Sequence, residues 1–299
     1  MSPATTPGPV VVGVDFSKDN AAALEYAAAL AVRRQLPLEL VYAVDPQTAP
    51  PTYLAMSMDE ISEAAEEELA DQATTLRQDN PGLEVTTQFL AQSPTDALVE
   101  ASKRASMVVL GSRGHGSFGQ LLLGSVAWRV TSRAVGPVLL VRPGELVGHL
   151  AQGPVLVGLD GSESSRRALR FAFQEATSRR TGLIAVTVWA LPHPEGLEIG
   201  RDWPANAAQW EPEMESDAAR MLSEALAGTG REYPDVFVSK VVVHGLNVPQ
   251  TLLEVASANS ADLIVVGARG THAFAELVLG AVGVQLSQHS DRTVAVVHG

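Results

Sequence analysis

The sequence predicts an α/β protein of two tandem domains, each a parallel sheet with helices on both faces. Three observations predict it. Short β-branched apolar runs alternate with longer helical patterns along the whole chain, as strands joined by crossover helices do. The order of these segments repeats in the second half. One glycine-rich loop also occurs twice, in the same place each time. Its first copy runs from Gly111 through Gly114 to Gly124-Ser125, and its second from Gly267 through Gly270 to Gly280-Ala281. Both have the spacing Gly-x2-Gly-x9-Gly, so the chain reads as an internal duplication.

In the first half, Val10–Asp15 reads as strand one. Asn20–Arg34 has Leu24, Ala27, Ala28 and Ala31 at helical spacing and reads as helix one. Leu38–Val44 is strand two. Met58–Gln78 is helix two, with Glu63, Glu66 and Glu67 as a solvated face. Leu83–Leu90 is strand three. Ser93-Pro94 opens helix three, the serine as cap and the proline in the first turn, and that helix runs to about Lys103. Met107–Leu110 is strand four, Ser125–Arg133 helix four and Pro137–Val141 strand five.

The second half repeats the series. Val155–Asp160, Leu183–Ala190, Val236–Val243, Leu263–Val266 and Val294–Val297 read as strands. Ser164–Arg180, Glu213–Ala227, Val248–Ala258 and Val282–His289 read as helices. Residues 1–145 form the first expected domain and 153–299 the second, with a linker near Arg142–Gly153 marked by proline and glycines. From Asp160 to Gly267 is 107 residues, against 96 from Asp15 to Gly111. The surplus falls in Leu191–Pro212, with Trp203 and Trp210, and reads as a loop or lid or, the favoured reading, as a surface excursion whose tryptophans pack on the sheet edge.

Composition bounds the function. The chain has 299 residues, 46% hydrophobic and 18% charged, so each half can bury a core. A formal net charge of −13 argues against a nonspecific DNA or RNA binder. The absence of cysteine excludes disulfides, thiolate metal sites and cysteine nucleophiles. The N-terminal residues have neither a basic start nor an apolar stretch, and no run approaches a membrane span. A soluble cytoplasmic protein is expected.

The glycine loops carry the functional signal. A strand that ends in glycines and leads to a helix start suits a phosphate, because backbone approaches the anion closely and the helix end supplies free N–H groups. In open parallel sheets, ligands sit beyond the carboxyl ends of the strands where strand order reverses. Asp15 and Asp160 end the first strands, and Gly111 and Gly267 the fourth. Neighbouring first and fourth strands would place them in one crevice. Neither first strand is followed by Gly-x-Gly-x-x-Gly, and no Gly-x4-Gly-Lys-Ser/Thr occurs, which disfavours Rossmann dehydrogenases and P-loop NTPases. His115 and His272 are one position out of register and read as exposed loop residues.

With Val-Gly-Val-Asp15-Phe-Ser17, Val-Gly-Leu-Asp160-Gly-Ser162 and the complete Gly-x2-Gly-x9-Gly-Ser of the first half, the chain resembles the universal stress protein family, in its tandem, ATP-binding branch. The resemblance covers nearly the whole chain. It implies a Rossmann-like, adenine nucleotide alpha hydrolase-like sheet of five strands in the order 3-2-1-4-5, ATP at the switch point and a role in stress adaptation. It implies that Asp15 lies near ribose and adenine, with Gly13 in the same strand end, and that the Val41 backbone meets adenine. Gly111, Arg113 and Gly114 would surround ribose and phosphates, and Gly124, Ser125 and Val126 would hold phosphate oxygens. The second-half counterparts are Gly158, Asp160, Val186, Gly267, Arg269, Gly270, Gly280, Ala281 and Val282. Magnesium would bridge phosphates to Asp15 or Ser125 oxygens. Ala281 departs from the family's serine or threonine, so the first half is expected to bind ATP more tightly.

The leading expectation is an ATP-binding regulatory protein. A slow ATP hydrolase or phosphotransferase using the same site, and an interaction scaffold with vestigial sites, stay open. The two fifth strands are expected to pair the halves within one chain. A further homodimer and an unidentified protein partner are compatible with the sequence, whereas nucleic acid and membrane partners are not expected.

Overall fold

The computed structural model describes residues 7–47, 56–112, 123–142, 153–190, 210–270 and 280–298. The first half contains β1 (Val10–Gly13), α1 (Ala21–Arg34), β2 (Leu38–Ala43), α2 (Met58–Asp79), β3 (Val85–Leu90), α3 (Pro94–Ser102), β4 (Met107–Gly111), α4 (Ser125–Arg133) and β5 (Val138–Val141). The second contains β6 (Val155–Gly158), α5 (Glu163–Arg179), β7 (Leu183–Trp189), α6 (Glu211–Thr229), β8 (Val238–His244), α7 (Val248–Ala258), β9 (Leu263–Gly267), α8 (Ala281–His289) and β10 (Thr293–Val297).

The strands form one sheet of ten, ordered β3-β2-β1-β4-β5-β10-β9-β6-β7-β8. Each half is parallel and has the expected order. The halves join where β5 and β10 run antiparallel, Leu139 opposite Ala295. The chain lays β2 and β3 on one side of β1, then returns to lay β4 and β5 on the other. The switch points therefore lie between β1 and β4 and between β6 and β9.

Two-sided burial explains the continuous apolar runs. Val10, Val11 and Val12 are all fully buried, but Val10 and Val12 face one core and Val11 another. The first core continues across the junction beneath α1, α2, α5 and α6. On the opposite face, α3 and α4 cover the first half and α7 and α8 the second. Trp128 of α4 reaches over to pack against the second half's core.

Several local expectations are corrected. The first strands stop at Gly13 and Gly158, short of Asp15 and Asp160. The chain turns there instead: Phe16 has φ 57° and Gly161 φ 80°, both left-handed. A left-handed phenylalanine is strained, and its ring is held 4.4 Å from that of Tyr42. Ser93 makes no side-chain cap bond to α3, which begins on Pro94 alone. Ser57 does cap α2, in a reciprocal box with Glu60. The linker residues 143–152 and the excursion residues 191–209 lie outside the described residues.

The junction carries matched contacts. Aligning α4 on α8 superposes Thr131 on Ser287 and Arg142 on His298. Arg142, buried just after β5, donates to the carbonyls of Ser287 and Gln288 in the last turn of α8, both at 2.9 Å. His298, just after β10, makes the corresponding backbone hydrogen bond with Thr131 of α4.

Candidate functional site

The glycine loops are closed at their base by the same backbone bonds in both halves. Ser112 N–H donates to the Val141 carbonyl at 2.8 Å, and Gly124 N–H donates to the Ser112 carbonyl at 2.9 Å. In the second half, Ala268 N–H donates to Val297 at 2.9 Å and Gly280 N–H to Ala268 at 2.8 Å. Each loop thus leaves its fourth strand and returns to it at the start of a helix. Gly124 and Gly280 occupy the N-cap positions with matching extended backbones, φ −60° and ψ 147° or 148°.

The helix starts are open to an anion. The first intrahelical bonds are those of Trp128 N–H to Gly124 and Val284 N–H to Gly280. The N–H groups of Ser125 and Val126, and of Ala281 and Val282, come earlier and have no carbonyl within their helices. No acidic residue stands in the first turn of either helix, so the positive end of each dipole is uncompensated from within. Ser125 is exposed at its helix start.

The aspartates shape the turn beneath. Asp15 Oδ1 accepts Ser17 N–H at 2.9 Å, and Asp160 Oδ1 accepts Ser162 N–H at 3.0 Å. Each caps its turn through Oδ1. In the second half, a Cβ on Gly270 would stand 2.9 Å from Asp160 Oδ2, so the loop and the carboxylate approach closely there. Ser162 Oγ donates to the Arg269 carbonyl at 3.4 Å, and Arg269 N–H donates to Ser164 Oγ at 3.3 Å. A Cβ on Gly267 would strike Ser164 Oγ at 2.5 Å. Asp160, Gly267, Arg269, Gly270 and Gly280 therefore meet at one switch point, with Ser162 and Ser164 between them. The sequence reading missed both serines as contacts of this loop, although Asp160-Gly161-Ser162 is a cap signal.

The other residues have different places. Gly13 and Gly158 are packing positions: a Cβ would lie 2.7 Å from a Leu110 methyl in one and 3.2 Å from a Leu252 methyl in the other. The Val41 and Val186 side chains are buried in the cores, and their carbonyls accept Val14 N–H at 2.9 Å and Leu159 N–H at 2.8 Å. Gly111 ends β4 as expected. Arg113 and Gly114 lie outside the described residues, as do His115 and His272. His298 stands near the second site. Burial lowers its pKa, the Thr131 bond opposes this, and the positive charge of Arg269 lowers it further. An open groove of about 850 Å³ runs between α5 and α6 and touches the turn after β6 only at Gly161 and Glu163.

Residues 8–142 and 153–298 each match the universal stress protein family. The chain belongs to that family. It is 35% identical over 296 residues to a universal stress protein of Mycolicibacterium smegmatis, with 96% of each chain covered. It is 38% identical over 281 residues to one of Mycobacterium tuberculosis, with 91% of each covered. A universal stress protein structure from Archaeoglobus fulgidus shares the fold, with a TM-score of 0.70 at 22% identity over 97% of this chain and 96% of that one. Among the described residues of this tandem member, no helix is long and apolar enough to cross a membrane. Nor does any group of three or more His, Asp or Glu side chains there form a metal cage.

Proposed function

We propose that this universal stress protein binds ATP at its two glycine loops and acts as a regulator in stress adaptation. The observation that carries the reading is the repeated loop base. In both halves the same two backbone bonds hold a Gly-x2-Gly-x9-Gly segment between a strand end and an uncompensated helix start, at the switch point. The residues fit a nucleotide polyphosphate: Ser125 and Val126 in one half, and Ala281 and Val282 in the other, offer N–H groups to phosphate oxygens, while the Gly124 and Gly280 N–H groups hold the loop bases. Asp15 and Asp160 stand at the switch-point turns, which they hold through Oδ1, where a ribose hydroxyl would lie. Arg269, beside Gly270, supplies a cation at the second loop, and Arg113 is its counterpart by sequence.

Magnesium fits as an ion carried mainly by the phosphates, since it takes one or two protein oxygens at such sites. Asp15 and Ser125 are the candidates. It would offset phosphate charge. Bound ATP would change the surface that partners meet. The test is to denature freshly purified protein and identify released small molecules by chromatography and mass spectrometry, then titrate ATP against the stripped protein. Released ATP, or a saturable ATP-induced rise in Tm, is expected. The absence of both released nucleotide and thermal shift would sink the reading.

A further inference from the structure

The seam between α1 and α5 holds more positive charge than it neutralises. The C-caps Gln35 and Arg180 are both left-handed, at φ 54° and 55°. Aligning them places Arg34 on Arg179, Tyr26 on Phe171 and Leu30 on Glu175. The contacts respect that pseudo-dyad. Arg34 lies 5.4 Å from the centre of the Phe171 ring, and Arg179 lies 5.8 Å from that of Tyr26. Glu175, fully buried, serves both arginines: Oε1 accepts Arg34 Nε at 3.0 Å and Nη2 at 2.5 Å, and Oε2 accepts Arg179 Nε at 3.1 Å. Arg34 Nη1 also donates to Gln174 at 3.3 Å, and Arg179 Nη2 donates to the Tyr26 hydroxyl.

A third arginine breaks the balance. Arg33 faces the same group, and burial and then the charge of Arg179 lower its pKa. Its Nε and Nη2 are buried without a protein partner, and so is Nη1 of Arg179, whose side chain is 1% exposed. A guanidinium does not shed its proton in a protein, so three positive charges meet one carboxylate. The C-terminal dipoles of α1 and α5, about half a negative charge each, leave an excess. Buried unpaired charged donors are costly, and Nε with Nη2 is the side-on fork that grips two oxygens of one oxyanion. None of the described glycine-loop residues belongs to this set.

We propose that the α1–α5 seam binds one small inorganic oxyanion of the phosphate or sulfate class, gripped by Arg33 Nε and Nη2 and by Arg179 Nη1, and that this ion fastens the two halves together.

The experiment is a thermal melt of the full chain in a phosphate-free buffer, with inorganic phosphate added at constant ionic strength. The wild type is expected to gain about 3 °C or more. Arg33→Met, which removes the excess charge, is expected to melt no lower than the wild type without phosphate and to stay flat as phosphate is added. A flat wild type overturns the proposal. So does an Arg33→Met protein that keeps the whole shift, because the anion then acts elsewhere, the glycine loops included. Crystals of the unaltered protein soaked in selenate give a second readout that needs no variant. Anomalous selenium density within hydrogen-bond distance of Arg33 Nε and Nη2 supports the site, and its absence there overturns it.

Discussion

The two halves share a backbone and differ in side chains at the places that matter. The loop-base bonds repeat within about 0.1 Å between Ser112–Gly124 and Ala268–Gly280. Around that frame, Phe16 corresponds to Gly161, Ser125 to Ala281, Leu30 to Glu175 and Arg142 to His298. In a symmetric pair of identical chains, a residue on the dyad meets its own copy. A single duplicated chain escapes that constraint. Here Leu30 of one half corresponds to Glu175 of the other, and one buried carboxylate serves an arginine from each half. Duplication has let the interface become complementary instead of self-complementary.

The most forceful way to break this comparison is at Glu175. Removing one partner of a buried ion pair typically costs about 3–5 kcal/mol, since the other charges are stranded. Glu175→Leu recreates the Leu30 environment on both sides and is expected to destabilise by that amount in chemical unfolding. Changing Arg34 and Arg179 to leucine as well should recover much of the loss. Burial pushes the Glu175 carboxyl up, but Arg179 and Arg34 outweigh it and hold it below the ordinary carboxylate value. The stability it contributes is thus present above the unfolded-state carboxylate pKa and lost as pH falls through the folded one. Glu175→Leu should accordingly show a shallower acid limb than the wild type. An unchanged limb would mean that other carboxylates govern acid unfolding.

A smaller effect sharpens the contrast at the loops. A hydroxyl hydrogen bond contributes about 0.5–1.5 kcal/mol, or roughly two- to tenfold in affinity. Ala281→Ser is expected to tighten ATP binding in the second half by that factor, and Ser125→Ala to weaken the first half equally. Two-site calorimetric titration of the full chain reads both. A wild-type protein whose second half binds more tightly would reverse the expected order.

Much of this was legible because burial repeats with the period of the element. The spans of α4 and α7 coincide with those read from sequence, since their apolar residues recur at helical spacing between clear start and stop signals. The glycine loops were legible as a repeated spacing. Two kinds of feature were not. Strand ends depend on the turn that follows, and the left-handed Phe16 carries no glycine to announce it, so β1 was read two residues too long. Side chains from distant segments carry no local signal either. Arg33 and Arg34 look like ordinary cations at a helix end, and only the antiparallel pairing of β5 with β10 brings them to Glu175. In the second half, Asp160 and Gly270 lie together at the switch point, because β6 and β9 are neighbours. Val41 and Val186 offer only backbone to a ligand.

The smallest effect separates Arg142 from His298, which occupy matched positions but differ in how they hold charge. Arg142 holds the end of α8 through two bonds to backbone carbonyls. Burial, with Arg269 adding to it against the Thr131 bond, keeps the pKa of His298 below the free imidazole value. The unfolded chain therefore takes up a proton there first as pH falls below about 6.5. The resulting stability is present above that pH and lost as pH drops through the folded value. His298→Gln can donate to the same carbonyl without titrating. It is expected to change stability at pH 8 by less than about 1 kcal/mol and to lose less stability than the wild type on moving to pH 5.5. Equal losses in the two proteins would show that the junction is indifferent to this proton, and that the exchange of arginine for histidine across the dyad has no consequence for acid stability.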